Sequence, residues 1–158
     1  MTVLTDLVDQ LARQLTHKQL RLATVESCTG GRIGGVLTDK SGSSDWYEGG
    51  WITYSNALKT ALGVDPDLID QYGAVSEEVA LAMVSAGRAA AGVDCCISVT
   101  GVAGPTGGSA EKPVGTVWIG WALPGDRLRA QCHQFEGDRA SVREQSIVAA
   151  LSGLLQQL

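Results

Sequence analysis

A strand-like run, Leu20-Arg21-Leu22-Ala23-Thr24-Val25, passes through Glu26-Ser27-Cys28-Thr29-Gly30-Gly31 into a helical pattern from about Gly30 to Thr38. The same alternation recurs down the chain. An amphipathic helix covers residues 3 to 16, with Val3, Leu4, Leu7, Val8, Leu11 and Leu15 at helical spacing, and His17-Lys18-Gln19 closes it. After the polar loop 39 to 45, Gly49-Gly50-Trp51-Ile52-Thr53-Tyr54 reads as a strand. Ser55 caps a short helix, Asn56 to Leu62, ended by Gly63. Asp65-Pro66 opens another short helix that ends near Tyr72-Gly73. Ser76 caps a longer one, rich in Ala and Gly, that runs to Gly92 and allows close packing. Asp94 to Thr100 reads as a buried strand. Val114 to Leu123 and Arg127 to Phe135 form a hairpin through Pro124-Gly125-Asp126, and a final helix runs from about Asp138 to Leu155. Helices alternating with strands, with one late hairpin, predict an α/β fold: a three-layer α/β/α sandwich on a mixed, mostly parallel sheet.

The length of 158 residues suits one domain over 1–158. A formal charge of -5 argues against broad nucleic-acid binding, which needs a basic face. No apolar run approaches a membrane span, and Met1-Thr2-Val3-Leu4-Thr5-Asp6 lacks a basic leader region, so a cytoplasmic location is expected. The four cysteines, Cys28, Cys95, Cys96 and Cys132, have neither zinc-site nor disulfide spacing, and two histidines make a His-rich metal site unexpected. No cofactor is expected.

Four groups of residues could carry chemistry. Ser27 sits at a strand-to-helix turn, where unpaired N–H groups of Cys28, Thr29, Gly30 and Gly31 would surround an oxyanion. The plainer alternative is that Ser27 or Thr29 caps the helix and the glycines permit close packing. A serine nucleophile needs a base. His17 and His133 have no motif around them, so a Ser-His-Asp triad is a weak reading. Cys28 as nucleophile lacks a histidine as well. Lys59 fits better. With Ser55 as cap, Tyr54 and Lys59 occupy the two positions that touch across a helix start, and the helix dipole there lowers an amine pKa. A solvated lysine on an amphipathic helix remains the alternative. The glycine-rich loop, with Thr100, Gly101, Gly104, Pro105, Gly107 and Gly108, either approaches a phosphate or a planar ring or is a long connection; Glu111-Lys112-Pro113 closes it. Arg139 and Arg143 share a helix face after Gly137-Asp138, placed to bind a phosphate or to form a charged first turn.

These blocks, with Tyr54-Ser55-Asn56-Ala57-Leu58-Lys59, Gly73-Ala74-Val75-Ser76, Thr100-Gly101-Val102-Ala103-Gly104-Pro105 and Glu111-Lys112-Pro113-Val114-Gly115-Thr116-Val117, resemble the CinA C-terminal domain family. The resemblance runs from about residue 5 to 155 in matching order. It implies an anticodon-binding-domain-like α/β/α fold, no metal, and a homo-oligomer. The implied activity is that of a nicotinamide-nucleotide amidase: hydrolysis of nicotinamide mononucleotide to nicotinic acid mononucleotide and ammonia, in pyridine nucleotide salvage. Ser27 falls on the family's nucleophile, Lys59 on its base and Tyr54 on its assisting tyrosine. Larger relatives carry an additional pyrophosphatase domain, so only the amidase part is implied here. Val25 and Cys95-Cys96 depart from the family pattern. A non-catalytic pyridine-nucleotide-binding module is the competing class, and its sign would be a solvent-directed Lys59. A serine esterase or peptidase is a third.

Overall fold

The computed structural model describes residues 2–158; Met1, the first residue read for a leader, lies outside them. Strands β1 (Leu22–Glu26), β2 (Tyr47–Ile52), β3 (Cys95–Gly101), β4 (Thr116–Leu123) and β5 (Arg127–Gln134) form one sheet in the order β2-β1-β3-β4-β5. β1 pairs in parallel with β2 and β3, whereas the β3–β4 and β4–β5 pairings are antiparallel. Four strands therefore share one direction and β4 opposes them, so the sheet is mixed as expected, with its parallel pairings confined to one half.

Helices α1 (Val3–Lys18), α2 (Arg32–Thr38) and α6 (Arg139–Gln157) cover one face; α5 (Glu77–Ala91), flanked by α3 (Asn56–Leu62) and α4 (Pro66–Tyr72), covers the other. The strand period of two divides the core accordingly. Leu22, Ile97, Val99, Val117 and Ile119 pack with Leu11, Leu15 and Leu151. Ala23, Val25, Cys96 and Ala122 pack with Val79, Met83 and Val84 of α5. The four cysteines are free thiols. Among the described residues no helix is long and apolar enough to cross a membrane.

Element ends differ from the sequence expectation for local reasons. β1 starts at Leu22 rather than Leu20, because the Leu20 N–H still closes α1 onto Leu15 and the Arg21 N–H goes to the Asp94 carboxylate. α2 begins at Arg32, since Gly30 and Gly31 have φ of 61° and 99°, outside helical space. β2 stops at Ile52, two residues before Tyr54, because the next two carbonyls turn to Lys59 instead of a strand partner.

The close approach expected of the Ala/Gly-rich helix is made at Gly87. A methyl group there would lie 2.5 Å from Val25 Cγ2 and 2.9 Å from Cys96 Sγ. Both neighbours are among the residues that depart from the family pattern. Gly87→Ala should therefore destabilise the fold by about 1–3 kcal/mol, overpacking outweighing the roughly 1 kcal/mol of better helix propensity. Denaturant unfolding measures this.

β1, β2 and β3 run side by side in one direction, so their C-terminal ends open onto one edge of the sheet. The chain leaves β1 across one face through α2 and leaves β2 across the other through α5. That reversal opens a crevice beyond the strand ends, where open α/β sheets bind ligands.

Candidate active site

Ser27 follows β1 directly into this crevice. Its N–H donates to Val99 of β3 at 2.9 Å, and its carbonyl accepts the Gly30 N–H at 3.1 Å, closing a tight turn. Below the turn lies Glu26, 2 % exposed. One carboxylate oxygen accepts from the Thr29 hydroxyl at 2.6 Å and the Ile33 N–H at 2.9 Å; the other accepts from Gly34 N–H at 3.0 Å. The N-cap position of α2 is Gly31, which has no side chain to cap with, so Glu26 supplies the acceptors from the strand end. Sequence reading passed over Glu26. The Glu-Ser pair at a strand end, ahead of a helix without its own cap, was the available signal.

Lys59 lies on α3, the helix that follows β2. Ser55 caps α3 as expected, accepting the Leu58 N–H at 3.1 Å. Lys59, the fourth helical residue, folds back under the turn and is 1 % exposed. Its Nζ donates to the Thr53 carbonyl at 2.8 Å, the Tyr54 carbonyl at 3.2 Å and Ser27 Oγ at 3.0 Å. Burial lowers its pKa below the ordinary 10.5 of a lysine. The direction matches expectation, but the first cause is loss of water rather than the helix dipole invoked from sequence.

Tyr54 is placed differently from expectation. Its phenol does not meet the amine. The ring is 60 % exposed and its hydroxyl accepts from Arg139 Nη2 at 3.4 Å. What Tyr54 gives Lys59 is its backbone carbonyl. The Cys28 side chain is buried beside Ser27, and burial pushes its thiol up to about 11.

These groups line a cavity of about 260 Å³ with Thr100, Gly101 and Ala103 from the end of β3, Asn56 at the start of α3, Ala74 and Val75 ahead of α5, and Arg139. Neither histidine lines it. The Thr100 hydroxyl donates to the Ala74 carbonyl at 2.9 Å, fixing one wall to another. Gly101 is required where β3 meets β4: a Cβ there would lie 2.7 Å from Val117 Cγ2. Asn56, Ala74 and Val75 were missed from sequence, because only tertiary packing brings them to Ser27. A wider groove of about 460 Å³ between α1 and α2 holds no nucleophile beside a base.

The glycine-rich loop divides. Its first residues line the cavity, whereas Pro105, Gly107 and Gly108 are exposed and lie outside the lining. Gly104 meets the site only through its carbonyl, which accepts from Arg139 Nη1 at 2.7 Å. The closing segment is tied to the end of α4: Lys112 Nζ donates to the Tyr72 carbonyl at 2.6 Å. Thr29, Gly30 and Gly31 lie beneath the cavity rather than on its wall. The Gly30 N–H is already committed to Ser27, so it cannot serve as an oxyanion donor. Arg143 lies behind the turn, its Nε on the Cys28 carbonyl at 3.0 Å and Nη2 on the Thr29 carbonyl at 3.3 Å, not in the cavity.

The chain is 50% identical over 157 residues to a Pseudomonas putida protein named nicotinamide-nucleotide amidohydrolase PncC, covering 99% of this chain and 98% of that one. It is 45% identical over 157 residues to the protein of the same name from Escherichia coli K12, covering 98% and 94%. The crystal structure of a competence-damaged protein (CinA) superfamily protein from Escherichia coli superposes with a TM-score of 0.95 at 35% identity, covering 98% and 90%. The CinA C-terminal domain model matches residues 4–158, and the chain belongs to that family.

Proposed function

We propose that this chain hydrolyses the carboxamide of nicotinamide mononucleotide, giving nicotinic acid mononucleotide and ammonia in pyridine nucleotide salvage, through Ser27 and Lys59. The observation that carries the reading is the buried Lys59 amine 3.0 Å from Ser27 Oγ. A nucleophile, a base within reach and a third group that orients the base make up the logic of covalent acyl transfer. Here the third group is the backbone. A neutral amine has two N–H donors and one lone pair. The Thr53 and Tyr54 carbonyls take the two donors, and the lone pair takes the Ser27 hydroxyl proton when that hydroxyl rotates away from the Tyr54 carbonyl, to which Oγ donates at 3.4 Å.

The steps follow. Lys59 takes the proton as Ser27 Oγ attacks the carboxamide carbon. The N–H group of Cys28, which lines the cavity and has no acceptor in the fold among the described residues, stabilises the oxyanion. Lys59 returns its proton to the leaving nitrogen, and ammonia departs. Water, deprotonated by the same amine, then hydrolyses the acyl-enzyme and frees Ser27. Tyr54 serves through its carbonyl and through its hydroxyl on Arg139. The printed names of the relatives support the choice of amide.

Lys59 and Arg139 are the cations on the cavity wall, and Lys59 is occupied by chemistry. Arg139 is the group to receive the 5′-phosphate. The test is an ammonia-release screen over nicotinamide, its riboside and its mononucleotide. The mononucleotide should turn over best. Arg139→Ala should raise its KM about 10- to 100-fold, the worth of one charge-assisted contact, and leave the riboside unchanged. Release from none of the three would refute the amidase reading and return the chain to the binding-module class. Against that class stands the burial of Lys59, which is not directed to solvent.

A further inference from the structure

The turn that carries Ser27 is held from near the other end of the chain. Arg143 lies in the second turn of α6 and places two donors on two consecutive backbone carbonyls, those of Cys28 and Thr29. Among the described residues no carboxylate lies within ion-pair distance of it. A guanidinium is a rigid planar fork, so holding both carbonyls at once fixes their relative orientation.

A trans peptide is planar, with its C=O and N–H on opposite sides. Turning the Cys28 carbonyl toward α6 therefore turns the Thr29 N–H away from it. In the same way, the Gly30 N–H on the Ser27 carbonyl directs the Cys28 N–H outward from the turn. Among the described residues neither N–H has an acceptor, and Cys28 is the one of the two on the cavity wall. The turn is followed by Gly30 and Gly31 at φ of 61° and 99°, and glycine gives the backbone easy alternative conformations. A clamp is needed where the backbone itself is permissive. Gly30 also leaves the clamp its space, since a Cβ there would lie 3.3 Å from Arg143 Nη2.

We propose that Arg143 is a positioning residue for amide hydrolysis: by holding the Cys28 and Thr29 carbonyls it locks the turn so that the Cys28 N–H meets the oxyanion formed on attack by Ser27. The inference rests on the Ser27–Lys59 reading and adds to it the residue that builds the oxyanion hole. Arg139, one helical turn earlier, reaches the cavity; Arg143 acts through the backbone.

Steady-state kinetics of Arg143→Ala and Arg143→Lys with nicotinamide mononucleotide test the inference. For Arg143→Ala, kcat should fall about 100-fold, the scale of one lost oxyanion donor, with KM within about threefold. Added guanidinium ion at non-denaturing concentration should restore part of the rate. Arg143→Lys should lie between the two, since one ammonium holds one carbonyl well. A tenfold or larger rise in KM with kcat kept, seen with the mononucleotide and not the riboside, would assign Arg143 to the phosphate and overturn the inference. Unchanged kinetics would overturn it as well. If Arg143→Ala melts early, the kcat of Arg143→Lys decides. A second readout is the rate at which diisopropyl fluorophosphate labels Ser27, followed by mass spectrometry, since its phosphoryl oxygen draws on the same donor. That rate should fall by a similar factor in the variants, and an equal rate refutes the clamp. Absence of both labelling and ammonia release in the wild-type protein would instead refute the Ser27 reading itself.

Discussion

Ser27→Ala should reduce ammonia release from nicotinamide mononucleotide by about 10⁴-fold or more, the range seen when a serine nucleophile is removed from a working constellation. The fold should survive. Ser27 is 7 % exposed, and its hydroxyl contributes one acceptor to Lys59, which keeps two backbone carbonyls. Thermal unfolding should move by only a few degrees, consistent with about 1 kcal/mol for a single hydrogen bond. Cys28→Ala is the necessary comparison. Its thiol is buried and held up to about 11, so at neutral pH it carries almost no thiolate. Activity within about threefold of wild type is expected there. The inverse pattern, a working Ser27→Ala and an inactive Cys28→Ala, would mean a thiol enzyme.

Lys59→Met should lower kcat by a similarly large factor, about 10³- to 10⁴-fold, because it removes the base and the proton donor for the leaving nitrogen together. The pH dependence separates this role from simple packing. The amine is a base only when neutral, and burial sets its pKa below 10.5. Wild-type kcat/KM should therefore rise with pH and level off above the folded-state pKa of Lys59. An acidic optimum would count against a lysine base.

Stability supplies a second, independent sign. Between the lowered folded pKa and the unfolded value near 10.5, the unfolded chain binds more protons at this residue than the folded one. The Lys59 contribution to wild-type stability accordingly rises with pH across that window, and it is lost as pH falls through the folded pKa. Lys59→Met should lack that increment. Denaturant midpoints of the two proteins measured between neutral pH and pH 10.5 give the difference. Parallel curves would place Lys59 in solvent-like surroundings, contrary to its burial.

Much of this site was legible in the linear chain. The Ser27 turn, the Ser55 cap, the helix over Asn56 to Leu62 and the placing of Lys59 four residues beyond the cap are all local. Each depends on residues a few positions apart, where φ, capping and spacing decide the outcome. The direction of the Lys59 shift was legible too, but not its cause. A helix start can be read from sequence, whereas burial under the Ser27 turn depends on β1 and β2 lying side by side.

Where the reading went astray, a side chain had two routes. Tyr54 was expected to turn its phenol to Lys59, yet the ring swings out to Arg139, which lies 85 residues away. Arg143 was read with Arg139, one helical turn away, either as a phosphate ligand or as part of a charged first turn. In the fold, Arg139 meets the cavity wall and Arg143 meets the back of a turn contributed by residues more than a hundred positions earlier.

The sequence by itself determined which segments become strands and helices, that they alternate, and that a serine stands at the first strand-to-helix turn, since these follow from short-range periodicity and backbone preference. Only the tertiary structure decided that Lys59 is dry and within 3.0 Å of Ser27, that the Thr53 and Tyr54 carbonyls hold its amine, and that Arg143 holds the Cys28 and Thr29 carbonyls. Those relations join the ends of three parallel strands and the start of α6, and no spacing along the chain encodes a distance across the sheet.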